Sequence, residues 1–408
     1  MNSKRKWLGL LAVSILAAVT ACGGGGGGGG GNVAGGGAAP VPAPAEVAST
    51  WESVSAGGLH TVATRSDGTL WAWGDNGSGR LGDGTTVNRS VPTQIGSSTN
   101  WASVSAGDSH TLATRSDGTL WAWGYNFNGQ LGDGTTVAKS VPTQIGTATN
   151  WVSVSAGNSH SLATRSTGAA GAALGQRETL WAWGYNGGGQ LGDGTTVDKS
   201  VPTRVGTATS WVSASGGFGH TVAVRGDGTL WAWGENLSGQ LGDGTVDDKA
   251  SPTRVGTSTI WLTASAGGGH TVARRTDGTL WAWGANGDGQ IGNNTLVDQS
   301  APIQIGTATN WVSVVAGSAH SGATRSDGTL WSWGYNFYGQ LGDGTLVSKG
   351  VPTQVETSTN WAAVSADSFH TAARRTDGTL WAWGYNFYGQ LGDGTTVNKS
   401  TPVNIPVP

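Results

Sequence analysis

The sequence predicts an all-β fold, a seven-bladed β-propeller with four short antiparallel strands per blade, and three observations carry that prediction. A unit of 50 residues recurs seven times without a gap, starting at Trp51, Trp101, Trp151, Trp211, Trp261, Trp311 and Trp361, with ten extra residues in the third copy. Every unit places three Trp and one His at constant offsets. Within a unit, apolar and polar residues alternate with a period of two over short runs bounded by Gly, Asp and Pro, the pattern of strands and turns. Units that cannot bury their apolar face alone must stack, and a closed ring needs none of the capping units that an open β-solenoid requires.

The second unit shows how each element is read. In residues 101–106 (WASVSA), Trp101, Ser103 and Ser105 are expected on one side and Ala102, Val104 and Ala106 on the other, and the small residues suit a strand at a crowded central axis. Gly107-Asp108-Ser109 makes a tight connection to a second strand, residues 110–115 (HTLATR). Ser116-Asp117-Gly118 is a hairpin turn, and residues 119–123 (TLWAW) form a third strand. Trp121 and Trp123 are two apart and so share a face, expected to pack against the next blade. A Gly-rich loop, residues 129–136, leads to a fourth strand at 141–145, where Pro142 suits an outer edge that needs no partner on one side. In the third unit Thr167-Gly168 is followed by residues 169–178 (AAGAALGQRE), an insertion at a hairpin tip, where added length costs little.

The N-terminal stretch has a different character. Lys4, Arg5 and Lys6 precede an apolar run, residues 7–19, too short to hold a bilayer span. Val19-Thr20-Ala21-Cys22 resembles the lipobox of bacterial lipoproteins, which implies cleavage before Cys22 and its lipidation; the Gly that follows implies the outer membrane. Cys22 is the only cysteine, so an intramolecular disulfide and a Cys-based zinc site are excluded. Residues 22–50, with an unbroken glycine run and a PVPAPA tract, read as a flexible tether. The expected organisation is a signal peptide at 1–21, a lipidated tether at 22–50 and a propeller at 51–408. The mature chain would keep 19 basic against 25 acidic residues, a net charge near −6, with the basic residues spread over the units. That distribution argues against nucleic acid as a partner, since phosphate backbones require a basic face.

The strings SAGDSHTLATRSDGTLWAWGYNFNGQLGDGT and VPTQI resemble the repeat of the regulator of chromosome condensation family, a seven-bladed propeller, and the resemblance spans about residues 51–405. It implies a scaffold with several unrelated uses: guanine nucleotide exchange on a small GTPase, ultraviolet-B reception in plants, and docking on β-lactamases by a secreted bacterial member. The photoreceptor's GWRHT motif is matched here by GGLHT, GDSHT, GNSHS, GFGHT, GGGHT, GSAHS and DSFHT. None carries its Trp, which speaks against light sensing.

The repeated polar residues offer chemistry only if one copy differs from the rest. His60, His110, His160, His220, His270, His320 and His370 each precede Thr or Ser at the same strand start, and a catalytic group is needed once. They are expected to be structural, satisfying backbone groups. The Gly-Asp-Gly-Thr loops at Gly82, Gly132, Gly192, Gly242, Gly342 and Gly392 supply one carboxylate each, too few oxygen ligands for calcium, and read as turn chemistry; Asn293-Asn294 replaces the motif in the fifth unit. The Arg before each Asp-Gly turn reads as a solvated hairpin flank. No catalytic residue, metal ligand or cofactor is expected.

The segment after each Trp-Gly varies around a constant Asn, so the Asn belongs to the turn and its neighbours are free to serve function. Aromatic residues concentrate there in units two, six and seven: Tyr125 and Phe127, then Tyr335, Phe337 and Tyr338, then Tyr385, Phe387 and Tyr388. Units six, seven, one and two adjoin in a closed ring, which places these rings in one arc of one face as a protein-binding surface. The expected function is a non-enzymatic, monomeric protein-binding scaffold on the cell envelope, lipid-anchored at the outer membrane or cell surface, with its partner unidentified. The alternatives are an exchange-factor-like regulator, by family resemblance, and an envelope enzyme with its site in the propeller channel.

The anchor generates a first prediction. Cys22→Ser is expected to release the protein from the membrane fraction or leave it unprocessed, because stable anchoring needs more than one acyl chain. Fractionation in which parent and variant distribute alike refutes lipidation.

Overall fold

The computed structural model describes residues 49–168 and 178–408. Cys22, the expected signal peptide, the tether up to residue 48 and insertion residues 169–177 lie outside the described residues. Residues 48–408 form one compact unit. It contains 28 strands in seven four-stranded sheets, each built from four consecutive strands in the order in which they occur. Blade one comprises β1 (Trp51–Ala56), β2 (His60–Arg65), β3 (Leu70–Gly74) and β4 (Arg89–Gln94); blade two comprises β5 (Trp101–Ala106), β6 (His110–Arg115), β7 (Leu120–Gly124) and β8 (Lys139–Gln144). All pairings are antiparallel. Among the described residues no helix is long and apolar enough to cross a membrane.

Two local expectations are corrected. A bulge at Ala102 sets Trp101 opposite Arg115 and Ser103 opposite Thr114, so the alternation breaks. An extra residue reverses side-chain parity, and Trp101 joins Val104 and Ala106 in the core instead of facing the axis with the serines. The fourth strand begins at Lys139, two residues earlier than expected, because Lys139 pairs with Gly124 before a second irregularity restores the register at Ala122 and Thr143. In blade three this hairpin gains two extra pairs, Arg165 opposite Thr179 and Ser166 opposite Glu178.

The core is seven apolar layers, one at each junction between blades. Trp101 and Trp123 of blade two pack with Val62, Leu70, Ala72, Leu81 and Ile95 of blade one. The Trp pair therefore faces the preceding blade, not the next one as expected from the sequence. Trp101 meets Trp121 and Trp123 at centroid distances of 5.9 and 6.0 Å, edge on, a geometry that adds a quadrupole attraction to the area buried. Ring closure repeats the same contact: Trp51, Trp71 and Trp73 pack on Ala372, Leu380, Leu391 and Ile405 of blade seven. No strand is exchanged between the first and last blades.

Each junction is also tied by a hydrogen-bond relay. His Nε2 of one blade lies 2.8 to 3.1 Å from a Thr or Ser hydroxyl of the next, from His60 with Thr111 round to His370 with Thr61. That hydroxyl donates back, over 2.7 to 2.9 Å, to the carbonyl of Arg80, Gln130, Gln190, Gln240, Gln290, Gln340 or Gln390 in the histidine's own blade. Because the single hydroxyl proton is committed to the carbonyl, the histidine must donate from Nε2, which assigns the tautomer. The histidines are structural, yet their partner is a side-chain hydroxyl and not the backbone. Nδ1 of each is buried without a partner, so a second proton would have no acceptor. Burial accordingly depresses all seven, to about 3 for His110, His220, His270 and His370 and about 4 for His160 and His320.

The long loop between third and fourth strands is organised by its constant Asn. Asn336 is fully buried; its amide donates to Asp343 Oδ1, Thr345 O and Val347 O at 3.1 to 3.2 Å, and its Oδ1 accepts Leu341 N at 2.9 Å. The Asp of the Gly-Asp-Gly-Thr motif accepts from the Thr two residues on and pairs with Lys or Arg at the start of the fourth strand, as in Asp83 with Arg89 at 2.7 Å. In blade five Asn293 keeps the hydrogen bonds, and Gln299 stands where the other blades have the cation, so charge is lost on both sides together. Gly82 has φ of +82°, and a Cβ there would sit 2.7 Å from Trp123 Nε1, so the loop closes on the next blade only with glycine. The motif is turn chemistry in which the carboxylate is already engaged.

Two predictions follow from this framework. A histidine whose folded pKa lies below its unfolded value binds its proton in the unfolded chain first. Its stabilisation is complete above about pH 6.5 and is lost as pH falls toward the folded values of about 3 to 4. With seven acting together the loss approaches roughly 10 kcal/mol per pH unit once the unfolded histidines are charged. Denaturant titrations between pH 7.5 and 4.5 are expected to show a steep collapse starting near pH 6.5, and a flat profile to pH 4.5 refutes the assignment. Asn336→Ala, which orphans one N–H and removes three donated bonds, is expected to cost about 2 to 4 kcal/mol in the denaturant midpoint without altering the far-ultraviolet spectrum of the folded state.

Candidate protein-docking face

The first and third strands of every blade run toward the same face of the propeller. That face therefore gathers the first-to-second loops and the Trp-Gly ends of the third strands. The opposite face carries the Asp-Gly hairpin turns and the linkers between blades. The described chain begins on this turn face: Ser66 N donates to Thr50 O at 2.9 Å, and Trp51 N donates to Gly378 O at 3.2 Å. Ser166 and Glu178, on either side of residues 169–177, pair at this face in blade three.

On the turn face the repeated arginines are not merely solvated. Arg115 lies over Trp121 and Trp101, its guanidinium carbon 3.8 and 4.5 Å from the ring centroids, and each equivalent arginine lies over at least one Trp, Arg65 over Trp71 alone at 5.3 Å. These cation–π contacts close the lower end of each tryptophan layer. They recur in every blade, so they single out no site.

The channel at the axis holds a cavity of about 170 Å³ lined by serines of the first strands. Ser55, Ser105, Ser155, Ser215, Ser265 and Ser365 each accept the backbone N–H of the next blade's Ala or Gly at 2.9 to 3.1 Å, and Val315 interrupts the series in blade six. Asp108 and Asp367 stand at the loop-face end of this cavity, either side of Gly57-Gly58. Burial, with the charge of Asp108, pushes the Asp367 carboxyl well above the usual range. Among the described residues no group of three or more His, Cys, Asp or Glu is arranged to hold a metal. The histidines nearest the channel are committed to the relays, and Asp108 Oδ2 accepts the Ser109 hydroxyl at 2.8 Å.

The aromatic residues expected to form one arc separate into two groups. Tyr335, Phe337 and Tyr338 of blade six interlock with Tyr385, Phe387 and Tyr388 of blade seven; Tyr338 reaches Tyr385 at 4.8 Å between centroids. Phe369 lies between them, 5.4 Å from Tyr338 and 6.4 Å from Tyr385. Sequence reasoning missed Phe369 because it belongs to the first-to-second loop; the up-and-down parity of four strands would have placed it on this face. Tyr125 and Phe127 stack on each other at 6.4 Å, with no ring contact to the larger group among the described residues. Blade one, between the two groups, carries Asp75, Gly77 and Ser78 at the equivalent positions, and Asp75 pairs with buried Arg80 at 3.0 Å. The tyrosines of the larger group are partly buried against one another, whereas Phe337 and Phe387 are 66% and 65% exposed and Phe127 is 72% exposed. Interlocked tyrosines thus hold two phenylalanines out to solvent, a rigid apolar surface.

Comparison with known proteins agrees with this architecture. The chain matches the RCC1-like domain over residues 169–408 and the regulator of chromosome condensation (RCC1) repeat over residues 67–114 and 117–164. A second description of the RCC1 repeat matches residues 51–80 and 101–130. Among solved structures, human WBSCR16 is 22% identical with a TM-score of 0.73, covering 83% of this chain and 94% of that one. Prp20p from Saccharomyces cerevisiae, described with its binding properties to Gsp1p and histones, is 24% identical with a TM-score of 0.66 over 78% of this chain and 80% of its own. Yeast RCC1 (Prp20) bound to Kap60 is 21% identical with a TM-score of 0.70 over 88% and 84%. Those likenesses carry the fold, and the family matches across the propeller show that the chain belongs to the RCC1-like family.

Proposed function

We propose that this chain is a non-enzymatic scaffold that docks another protein on the aromatic lip of blades six and seven. The observation that carries the reading is the exposure of Phe337 and Phe387 on a bed of interlocked tyrosines, a departure from sevenfold repetition on the loop face. Large rings already held by their neighbours lose little freedom on binding and are the residue types that dominate protein interfaces. Relatives of the same fold engage proteins: Prp20p is described with Gsp1p and histones, and yeast RCC1 (Prp20) with Kap60. The repeated His, Asp and Arg are consumed by structural roles in every blade, which leaves little for catalysis.

The proposal includes a lipid anchor at Cys22 on the cell envelope and a monomeric propeller. An exchange-factor-like regulator is a reading supported by family membership, and a cytoplasmic location would favour it.

Replacing Phe337 and Phe387 by Ser is expected to abolish capture of the partner from envelope extract, with the melting temperature within a few degrees of the parent, since exposed rings contribute little to the core. A folded variant that captures everything the parent does places the docking surface elsewhere.

A further inference from the structure

We infer that the partner docked on this aromatic lip is a polypeptide carrying lysine or arginine beside its apolar anchors. The inference rests on the docking reading above and adds the chemistry of the occupant. On the loop face of blades three, four and five lie Asp198, Glu235, Asp248, Asp288 and Asp298, of which Asp288 and Asp298 belong to the blade that adjoins the lip. Their placement follows from their contacts. Asp198, Asp248 and Asp298 accept the backbone N–H of Asn186, Asn236 and Asn286 at 2.7 to 2.8 Å, at the Trp-Gly ends of the third strands. Glu235 and Asp288 flank those same Asn residues in sequence.

Among the described residues, no Lys or Arg forms an ion pair with any of these five carboxylates. The cations of this face are already engaged: Arg80 with Asp75, and Arg89, Lys139, Lys199, Lys249, Lys349 and Lys399 with the Asp of their own loops. The uncompensated charge of the loop face is therefore negative, and it reaches the aromatic lip through blade five. Burial, then the charge of Asp248, raises the Glu235 carboxyl, and burial raises Asp288. Asp288 is near enough to Tyr335 to join burial and Tyr338 in raising its phenol, so acid and aromatic parts meet at the junction of blades five and six.

This juxtaposition selects one kind of occupant. An acidic partner would meet like charge without relief, whereas a guanidinium or ammonium group next to an apolar anchor satisfies both halves of the surface. It can stack on an exposed ring while facing a carboxylate that now lacks a cation. The turn face offers no equivalent, since its arginines lie over tryptophan.

The test uses the immobilised full chain, a Phe337→Ser/Phe387→Ser variant and a Glu235→Gln/Asp288→Asn/Asp298→Asn variant, with a displayed library of random dodecapeptides as probe. Peptides retained by the parent and lost by the aromatic variant are expected to be rich in Lys and Arg and to contain an aromatic or Leu residue. A synthetic peptide of that set is expected to bind the charge variant about fivefold more weakly, and the parent about tenfold more weakly at 300 mM than at 50 mM salt. Retained peptides that are neutral or acidic, or equal affinity for parent and charge variant, overturn the inference while leaving aromatic docking intact. No difference between parent and aromatic variant overturns the docking reading itself. Sedimentation as head-to-tail oligomers at low salt, abolished by the charge variant, identifies a second copy as the occupant and overturns the proposal of a foreign basic partner.

Discussion

The propeller depends on one interaction repeated seven times: a buried neutral histidine donating to a hydroxyl of the next blade, which returns its proton to the histidine's own blade. The relay crosses every junction, including that between blades seven and one. Its directionality matters. A hydroxyl can give only one proton, so the ring is satisfied only when all seven imidazoles present Nε2–H, and the whole belt is committed to one protonation state. Burial that depresses the histidines and the lack of an acceptor at Nδ1 are two aspects of the same design.

Around this belt the apolar energy is divided equally. Each tryptophan layer lies between two blades, so no blade has a core of its own and closing the ring completes the seventh layer. This explains why the last blade needs no strand borrowed from the first: the seam has the same tryptophan packing, relay and backbone contacts as any other junction. It also explains the near-identity of the units, since every residue that touches a neighbour is constrained on both sides.

What the repeats share is therefore spoken for, and function belongs to the deviations. Arg80 in place of Gln, Asp367 in place of Gly, Val315 in place of Ser, the aromatic loops of blades six and seven and the acidic positions of blades three to five all lie on the channel or the loop face.

The period of 50 and the constant Trp, His and Gly positions determined the architecture without reference to coordinates, because a stack of identical units has few ways to bury identical faces. The innermost serines, the outer Pro and the buried Asn were legible for the same reason: local spacing and turn chemistry decide them. Side-chain parity in the first strand was not, since a single bulge at Ala102 turns Trp101 from the axis to the core. Nor was the direction in which the tryptophans pack, which depends on the twist of one sheet over another. The arginines read as solvated flanks proved to be stacked on indoles that lie far away in neither sequence nor space but whose orientation only packing sets. The aromatic surface was half legible: the residues of blades six and seven were identified, while the inclusion of Phe369 and the separation of Tyr125 and Phe127 were decided by which loops share a face and which blade stands between them. Sequence periodicity determines which residues recur, and tertiary structure alone decides which of the exceptions meet, because they come together through ring closure and not through spacing along the chain.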